Sequence, residues 1–169
     1  HDFENGWNFF DGRLDLEDFR EKNKYVKKLN KKLYRGSTLT KQKGKLLVVR
    51  EQGVGDEILY SSMYGDLLND MHNTFIECDS RLLNLYKRSF PKYSDKFISL
   101  GTVTNDDKKF KKIDNIIYAG SLGRYYRKNI KDFKNNSFLK VDEKKLEEMK
   151  RKLSIYKKKY KIGLSWKSF

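Results

Sequence analysis

The stretch KLLVVREQGVGDEILYSS, residues 45–62, decides the fold of this chain. Its first part, KLLVV, is apolar without alternation, which is typical of a strand buried on both faces of a parallel sheet. A connection with two glycines follows. From Asp56 to Met71 an apolar residue then recurs every fourth position, which predicts one buried face of a helix. The stretch therefore predicts a strand, a tight turn and a helix.

The same alternation of strand and helix recurs downstream. Three further segments have the length and apolar content of short strands: TFIEC (74–78), KFISLG (96–101) and NIIYAG (115–120). Between the first two, the pattern predicts a helix that begins at Asp79 or Ser80 and ends before Pro91. Strands and helices at this spacing predict an α/β fold with an open, mostly parallel sheet and flanking helices.

The composition is that of a folded domain with a strongly basic surface. The chain has 169 residues, of which 37% are hydrophobic, and its net charge is +15. Because the lysines are spread along the chain, solvated lysine faces are the simpler interpretation, and a polyanion-binding surface is the alternative. No motif with interleaved aromatics and glycines is present, so a nucleic-acid partner is not expected.

A single cysteine, Cys78, excludes an internal disulfide and fits a reducing compartment, so we expect a cytoplasmic location. His1 and His72 cannot build a metal site with one cysteine, and we predict no metal. No apolar run approaches the roughly 18 residues needed to span a membrane. No signal-peptide pattern opens the chain.

The pattern divides the chain into three parts. Residues 1–40 read as a helical segment, residues 41–141 as the sheet domain, and residues 142–169 as a helix followed by one strand. Because the chain begins with His1 rather than Met and ends on a strand without a successor, we expect it to be a piece of a longer protein.

The turn after the first strand is the main candidate for a ligand site. Ligands of doubly wound sheets bind at the carboxyl ends of the strands, where Gly53 and Gly55 let a ligand approach the backbone. The third glycine of the dinucleotide fingerprint is missing, and Asp56 would repel a pyrophosphate, so a neutral hydroxyl-bearing ligand is favoured. Asp56 itself is either a helix cap or a general base, and both interpretations stay open.

Several longer motifs resemble one family. GWNFFDGR (6–13) is similar to the Gly-Trp-x-x-aromatic-acid-x-Arg signature that ends the repeat array in bacterial tetratricopeptide-repeat-containing glycosyltransferase-like proteins. GKLLVVREQGVGDEILYSSMYGDLL (44–68) resembles their strand-turn-helix segment. The remaining motifs follow in the family's order: SLGRYYRKNIKDF (121–133), FLKVDEKKLEEMKRKL (138–153) and KIGLSWKS (161–168).

The resemblance implies a GT-B architecture, in which two Rossmann-like domains face each other across a cleft. This chain would be the N-terminal, acceptor-side domain, with the linking helix and the first strand of the second domain. The nucleotide sugar is then a co-substrate, and no metal or other cofactor is implied. In the distantly similar lipopolysaccharide heptosyltransferases the matching aspartate is the catalytic base, and this role falls on Asp56.

The resemblance also implies binding residues. Gln52, Gly53 and Gly55 would line the cleft on the acceptor side. Ser121, Gly123 and Arg124 would face the same cleft, although a tight turn with a surface arginine also explains them. Ser165 and Lys167 would meet the donor phosphate, unless Lys167 is one more solvated lysine.

Three functions are consistent with this sequence. The first is transfer of a sugar from a nucleotide donor to a hydroxyl of a glycan or protein. The second is a non-catalytic interaction module on a degenerate transferase fold, with a protein partner held through upstream repeats. The third is a polyanion binder, for which affinity would fall steeply with salt.

Overall fold

We describe the chain from a computed structural model, which covers residues 2–41, 44–101, 113–156 and 159–164. Its strands form one open sheet in the order β1-β5-β2-β3-β4, and all neighbouring strands are parallel. The strands are β1 (Lys32–Leu33), β2 (Lys45–Val49), β3 (Thr74–Cys78), β4 (Phe97–Ser99) and β5 (Ile113–Tyr118). The predicted α/β fold with an open, Rossmann-like parallel sheet is therefore confirmed.

In the unit of residues 1–139, helices flank the sheet on both faces. Within the described residues the α-helices are α1 (Phe3–Phe10), α2 (Glu17–Lys22), α3 (Lys24–Lys28), α4 (Val54–Ser61), α5 (Tyr64–Asp70), α6 (Ser80–Ser89), α7 (Gly123–Tyr126) and α8 (Glu143–Ser154). Shorter 3₁₀ turns include Asp11–Asp15, Pro91–Lys96, Ala119–Leu122 and Ile130–Asp132. Asp79 caps α6 by accepting the Arg81 N–H at 2.9 Å.

The central strand β2 separates two apolar cores. Successive side chains of a strand point to opposite faces of the sheet. Leu46 and Val48 accordingly belong to the core beneath α4, α5 and α6. Leu47 and Val49 belong to the other core, which residues of the N-terminal segment cover. The apolar run without alternation at 45–49 is thus explained by burial on both faces.

The N-terminal segment is part of the sheet domain. Leu14, Val26 and Leu29 are buried in the second core, so residues 11–29 supply the helical layer of one sheet face. The segment then contributes the edge strand β1, which pairs with β5. The structure divides the chain into one unit of residues 1–139 and another of residues 140–169. The predicted helical segment 1–40 and the sheet therefore belong to one unit.

The helix predicted from Asp56 to Met71 is interrupted. It forms α4 and α5, and the chain tightens between them because the Ser62 carbonyl accepts the Arg127 guanidinium at 2.7 Å. The interruption changes the direction of the apolar face. Met63, Leu67 and Met71 are buried as expected, but Leu59 is 66% exposed, contrary to the four-residue pattern.

The C-terminal part agrees only partly with the sequence pattern. Residues 121–139 contain short helical turns, and Asp142 caps α8 by accepting the Lys145 N–H at 3.2 Å. The apolar spacing predicts a helix from Asp142 to about Tyr160, but α8 ends at Ser154. Residues 161–164 form no regular structure, and the remainder of the predicted final strand lies outside the described residues.

None of the helices described above combines the length and the apolar character needed to cross a bilayer.

Candidate active site at the carboxyl edge of the sheet

The turn after β2 is open to solvent. We call residues 50–56 the open turn. Gln52 holds the left-handed backbone conformation, with φ at 61°, and its side chain is exposed. Gly53 is extended, and a Cβ atom built on Gly55 meets no atom within 4 Å. The backbone therefore requires a glycine at neither position, and the space above Gly55 is free.

Asp56 caps the helix that follows. Its Oδ2 accepts the Gly53 N–H at 3.0 Å, which satisfies one of the free donors at the start of α4. The side chain is half-buried. A carboxylate has about four lone-pair sites, so this one bond leaves acceptor capacity for a proton on a ligand hydroxyl.

Arg50, the first residue of the open turn, anchors the turn to neighbouring residues. Its Nη2 donates to the Gln52 carbonyl at 2.9 Å. Its Nε forms a close ion pair, 2.6 Å from Oε1 of the fully buried Glu57. The other oxygen of Glu57 accepts the Asp79 N–H at 2.9 Å, and the Asp79 carboxylate lies 3.6 Å from Arg50 Nη1. The left-handed turn at Gln52 is therefore fixed to the ends of β2 and β3.

A second buried acid lies beside this pair. Glu77 accepts the Tyr25 hydroxyl at 2.6 Å and the Gly101 N–H at 3.3 Å. Burial raises the pKa of both Glu57 and Glu77, and this outweighs the opposite effects of their hydrogen-bond donors and of Arg50. Arg50 is thus surrounded by more acidic groups than it can pair with as a single cation.

The turn after β5 differs sharply from the turn after β2. We call residues 119–124 the closed turn. Ser121 Oγ donates to Asp11 Oδ1 at 2.6 Å, and Arg124 Nη1 donates to Asp11 Oδ2 at 3.0 Å. A Cβ atom on Gly123 would lie 2.5 Å from ring atoms of Trp7, whose Nε1 donates to the Arg127 carbonyl at 2.7 Å. The SLGR motif therefore binds the N-terminal segment.

Arg13 fills the crevice between the two turns. It makes a bidentate pair with Glu51, with Nη2 to Oε1 at 2.6 Å and Nε to Oε2 at 2.9 Å. Its remaining N–H groups donate to the Phe10 carbonyl, Asp11 and Ser121, so every donor of the guanidinium is used. Burial acts to lower the pKa of Arg13, but the bonds and charges of Glu51 and Asp11 raise it overall.

This position is the one that ligands usually occupy. The chain leaves β2 towards β3 on one side, while β5 lies on the other, so the β2–β5 junction is the topological switch point. Glu51 Oε1 also accepts the Gly120 N–H at 2.5 Å, and a Cβ atom on Gly120 would lie 2.6 Å from it. The N-terminal segment therefore closes the switch point with its own side chains.

A cavity of about 770 Å³ lies next to the filled crevice. The N-terminal segment forms one wall and the open turn forms another. Its lining residues are Arg13, Leu16, Asp18, Phe19, Lys22, Asn23, Tyr25, Arg50, Glu51, Gln52, Gly53 and Leu100. The structure thus brings Gln52 and Gly53 to a cavity. Gly55, Asp56, Ser121, Gly123 and Arg124 are not among its lining residues.

Sequence reasoning missed the charged residues that organise this edge. Arg50 and Glu51 directly follow an apolar strand, and Glu77 lies within another. A charged residue next to or inside a buried strand is seldom buried unless it is paired, and this signal was available in the sequence. Asp11 and Arg13 belong to the GWNFFDGR motif, and both bond to side chains of the closed turn.

Ser165 and Lys167, the predicted donor-phosphate residues, lie outside the described residues. Within residues 2–41, 44–101, 113–156 and 159–164, no group of three His, Cys, Asp or Glu residues is arranged to hold a metal ion.

Comparison with known proteins gives one distant similarity. The chain is 27% identical over 137 residues to Protein FlbA of Caulobacter vibrioides, which covers 73% of this chain. The matched region spans 23% of that relative, so the chain corresponds to about a quarter of its length. No family model matches the chain. No solved structure matches it either.

Proposed function

We propose that this chain is the acceptor-side domain of a nucleotide-sugar-dependent glycosyltransferase-like protein with a GT-B architecture. The observation that carries the proposal is the cavity of about 770 Å³ beside the open turn, at the carboxyl edge of a parallel sheet. Ligands of such sheets bind at this edge, and small-molecule sites usually have volumes of about 300–1,000 Å³. The family resemblance of the same turn supplies the reaction.

The charges around the cavity favour a neutral, hydroxyl-bearing acceptor. Arg13, Lys22 and Arg50 line it together with the carboxylates of Asp18 and Glu51. Two further buried acids, Glu57 and Glu77, lie behind Arg50. Although the net charge of the chain is +15, the cations around this cavity are matched by carboxylates. The cavity therefore lacks the excess of free cations that binding of a pyrophosphate would need.

Each residue of the proposed site has one role in the reaction. The acceptor oxygen attacks the anomeric carbon of the donor, the bond from that carbon to the phosphate oxygen breaks, and the nucleotide leaves. Asp56 takes the proton of the acceptor hydroxyl. Gln52 and Gly53 line the cavity and hold the acceptor there, and its reacting hydroxyl extends past Gly53 towards Asp56, which accepts the Gly53 N–H. Ser165 and Lys167 meet the leaving phosphate.

A non-catalytic interaction module is the second candidate. It is favoured by the engagement of Ser121, Gly123 and Arg124 in internal contacts and of Asp56 in a helix cap. On this interpretation the family motifs maintain the fold. The complete protein would then bind a protein partner through its repeats and turn over no donor.

Nucleotide release by the complete gene product, measured with a panel of nucleotide sugars and candidate acceptors, tests the first proposal. Asn keeps a side-chain oxygen that can cap α4 but cannot accept the proton. Asp56→Asn should therefore lower turnover at least roughly 100-fold without loss of the fold. Asp132→Asn is the matched control, since Asp132 accepts the Asn129 N–H at 2.8 Å in the same capping geometry.

The outcomes separate the two candidates. Release that depends on Asp56 and not on Asp132 supports the transferase. A loss of only a few-fold in Asp56→Asn restricts Asp56 to its capping role. No release from any donor by the folded protein, with an acceptor present, excludes the transferase and favours the interaction module.

A further inference from the structure

We infer that the N-terminal segment, and not only the sheet edge, selects the acceptor, and that Asp18, Lys22 and Gln52 contact a neutral pyranoside bound between them. The inference rests on the acceptor-side function proposed above, and it names the substrate class and its contacts. Residues 16–25 form one wall of the cavity and the open turn forms the other.

The first observation is a pair of unengaged side chains on α2. Asp18 and Lys22 are four residues apart on one helix, so they lie on the same face, and both line the cavity. Both are exposed, and neither has a hydrogen-bond or ion-pair partner in the part of the chain that the structure describes. Together they offer an acceptor and a donor to ligand hydroxyl groups.

The second observation is the strained residue on the opposite wall. Gln52 is held at a φ of 61°, and Arg50 fixes its carbonyl at 2.9 Å. Non-glycine residues in this conformation persist only where the surroundings impose them, and they concentrate at functional sites. The Gln52 amide remains without a partner among the described residues, so it can both donate to and accept from a hydroxyl.

The third observation is the apolar surface of the cavity, most of which belongs to the N-terminal wall. Leu16, Phe19, Tyr25 and Leu100 supply carbon surface on which the face of a sugar ring can pack. A site with mostly apolar lining and a few convergent polar groups is the usual form of a small-molecule pocket.

An acidic sugar is disfavoured at the same place. Every donor of Arg13 is already used, and Arg50 lies among the carboxylates of Glu57, Glu77 and Asp79. Lys22 is the cation of the cavity lining that has no partner among the described residues, and the Asp18 carboxylate lies on the same face of its helix. A carboxylate on the ligand would therefore meet several acidic groups and one flexible ammonium, without a free guanidinium to pair with.

Binding of methyl glycosides to the 169-residue chain, followed by saturation-transfer NMR, tests the inference. The panel contains the methyl glycosides of glucose, galactose, mannose and N-acetylglucosamine, with methyl glucuronide as the acidic counterpart of methyl glucoside. We expect at least one neutral glycoside to bind, and methyl glucuronide to bind at least fivefold more weakly than methyl glucoside. Gln52→Ala and Asp18→Ala should each weaken the binding of the neutral ligand at least fivefold.

Asp95→Ala is the control, since Asp95 is an exposed carboxylate outside the cavity, and circular dichroism verifies that each variant is folded. No binding of any neutral glycoside, or binding that both cavity substitutions leave unchanged, overturns the inference. Glycoside binding without donor turnover would remove the transferase proposal and leave standing only the glycoside site at Asp18, Lys22 and Gln52, without its role in acceptor selection. Donor turnover without glycoside binding would support the transferase proposal and overturn this inference.

Discussion

The open turn after β2 and the closed turn after β5 lie at the same edge of the sheet and have opposite environments. Each carries two glycines at the carboxyl end of a central parallel strand. In the closed turn, Cβ atoms on Gly120 and Gly123 would collide with Glu51 and Trp7. In the open turn, a Cβ atom on Gly55 meets nothing within 4 Å. Glycines at a sheet edge can thus permit close packing or ligand access, depending on which residues lie against them.

The N-terminal segment is the neighbour that packs against one turn and leaves the other accessible. Arg13, stacked 4.0 Å from the Phe10 ring centroid, pairs with Glu51 and reaches Ser121, so the β2–β5 crevice is filled by protein. The same segment continues across the edge and leaves the cavity beside Gln52. The usual ligand position is therefore closed, and the open cavity lies towards the ends of β2 and β4.

Breaking the closed turn should have the largest effect. Arg13→Met leaves Glu51, whose side chain is fully buried, without its cation, so the free energy of unfolding should fall by about 3–5 kcal/mol. Chemical denaturation measures this change. Arg20→Met is the control, since Arg20 and Asp15 form an exposed pair, and it should cost at most about 1 kcal/mol. Equal losses in the two variants would contradict a buried pair at Arg13.

Alanine at one glycine of each turn tests the comparison directly. Gly123→Ala places a methyl group against the anchored Trp7 ring and should cost about 2 kcal/mol of stability. Gly55→Ala adds a methyl group in open space near the start of α4 and should gain about 0.5 kcal/mol. Thermal and denaturant unfolding of both variants measure the difference. A destabilised Gly55→Ala would show that the open turn is closed in solution.

Relief of the strain at Gln52 gives a smaller expected change than the losses at Arg13 and Gly123. Gln52→Gly permits the left-handed backbone and should raise the free energy of unfolding by about 1 kcal/mol. Gln52→Ala keeps the strained backbone and removes the exposed amide, so its stability should equal that of the wild type. Denaturant unfolding distinguishes them. The account of the strained turn fails if glycine and alanine give the same stability.

The sequence was informative wherever local pattern controls structure. The strands at 45–49 and 74–78 are apolar because helices cover both faces, and the pattern predicts them. The edge strand at 32–33 was missed because it has only two residues, one of them lysine, and forms by pairing with β5. The break between α4 and α5 was missed because Arg127, far along the chain, takes the Ser62 carbonyl.

The site follows the same rule. Gly53 was placed at the sheet edge from the strand-turn-helix pattern, and Gln52 from the family resemblance. Ser121 and Gly123 were also placed at that edge, since they follow a strand. That Asp11, Arg13 and Trp7 cover them depends on contacts between residues more than about a hundred positions apart, which no local pattern contains.

We expect ligand to bind at the open turn and not at the closed turn. Amide-resolved NMR of the 169-residue chain, titrated with whichever methyl glycoside binds best, tests it most directly. We expect the amide signals of Gln52, Gly53 and Gly55 to shift with added ligand, while those of Gly120 and Gly123 stay in place. Shifts confined to Gly120 and Gly123, or no shift near Gln52, would contradict the account.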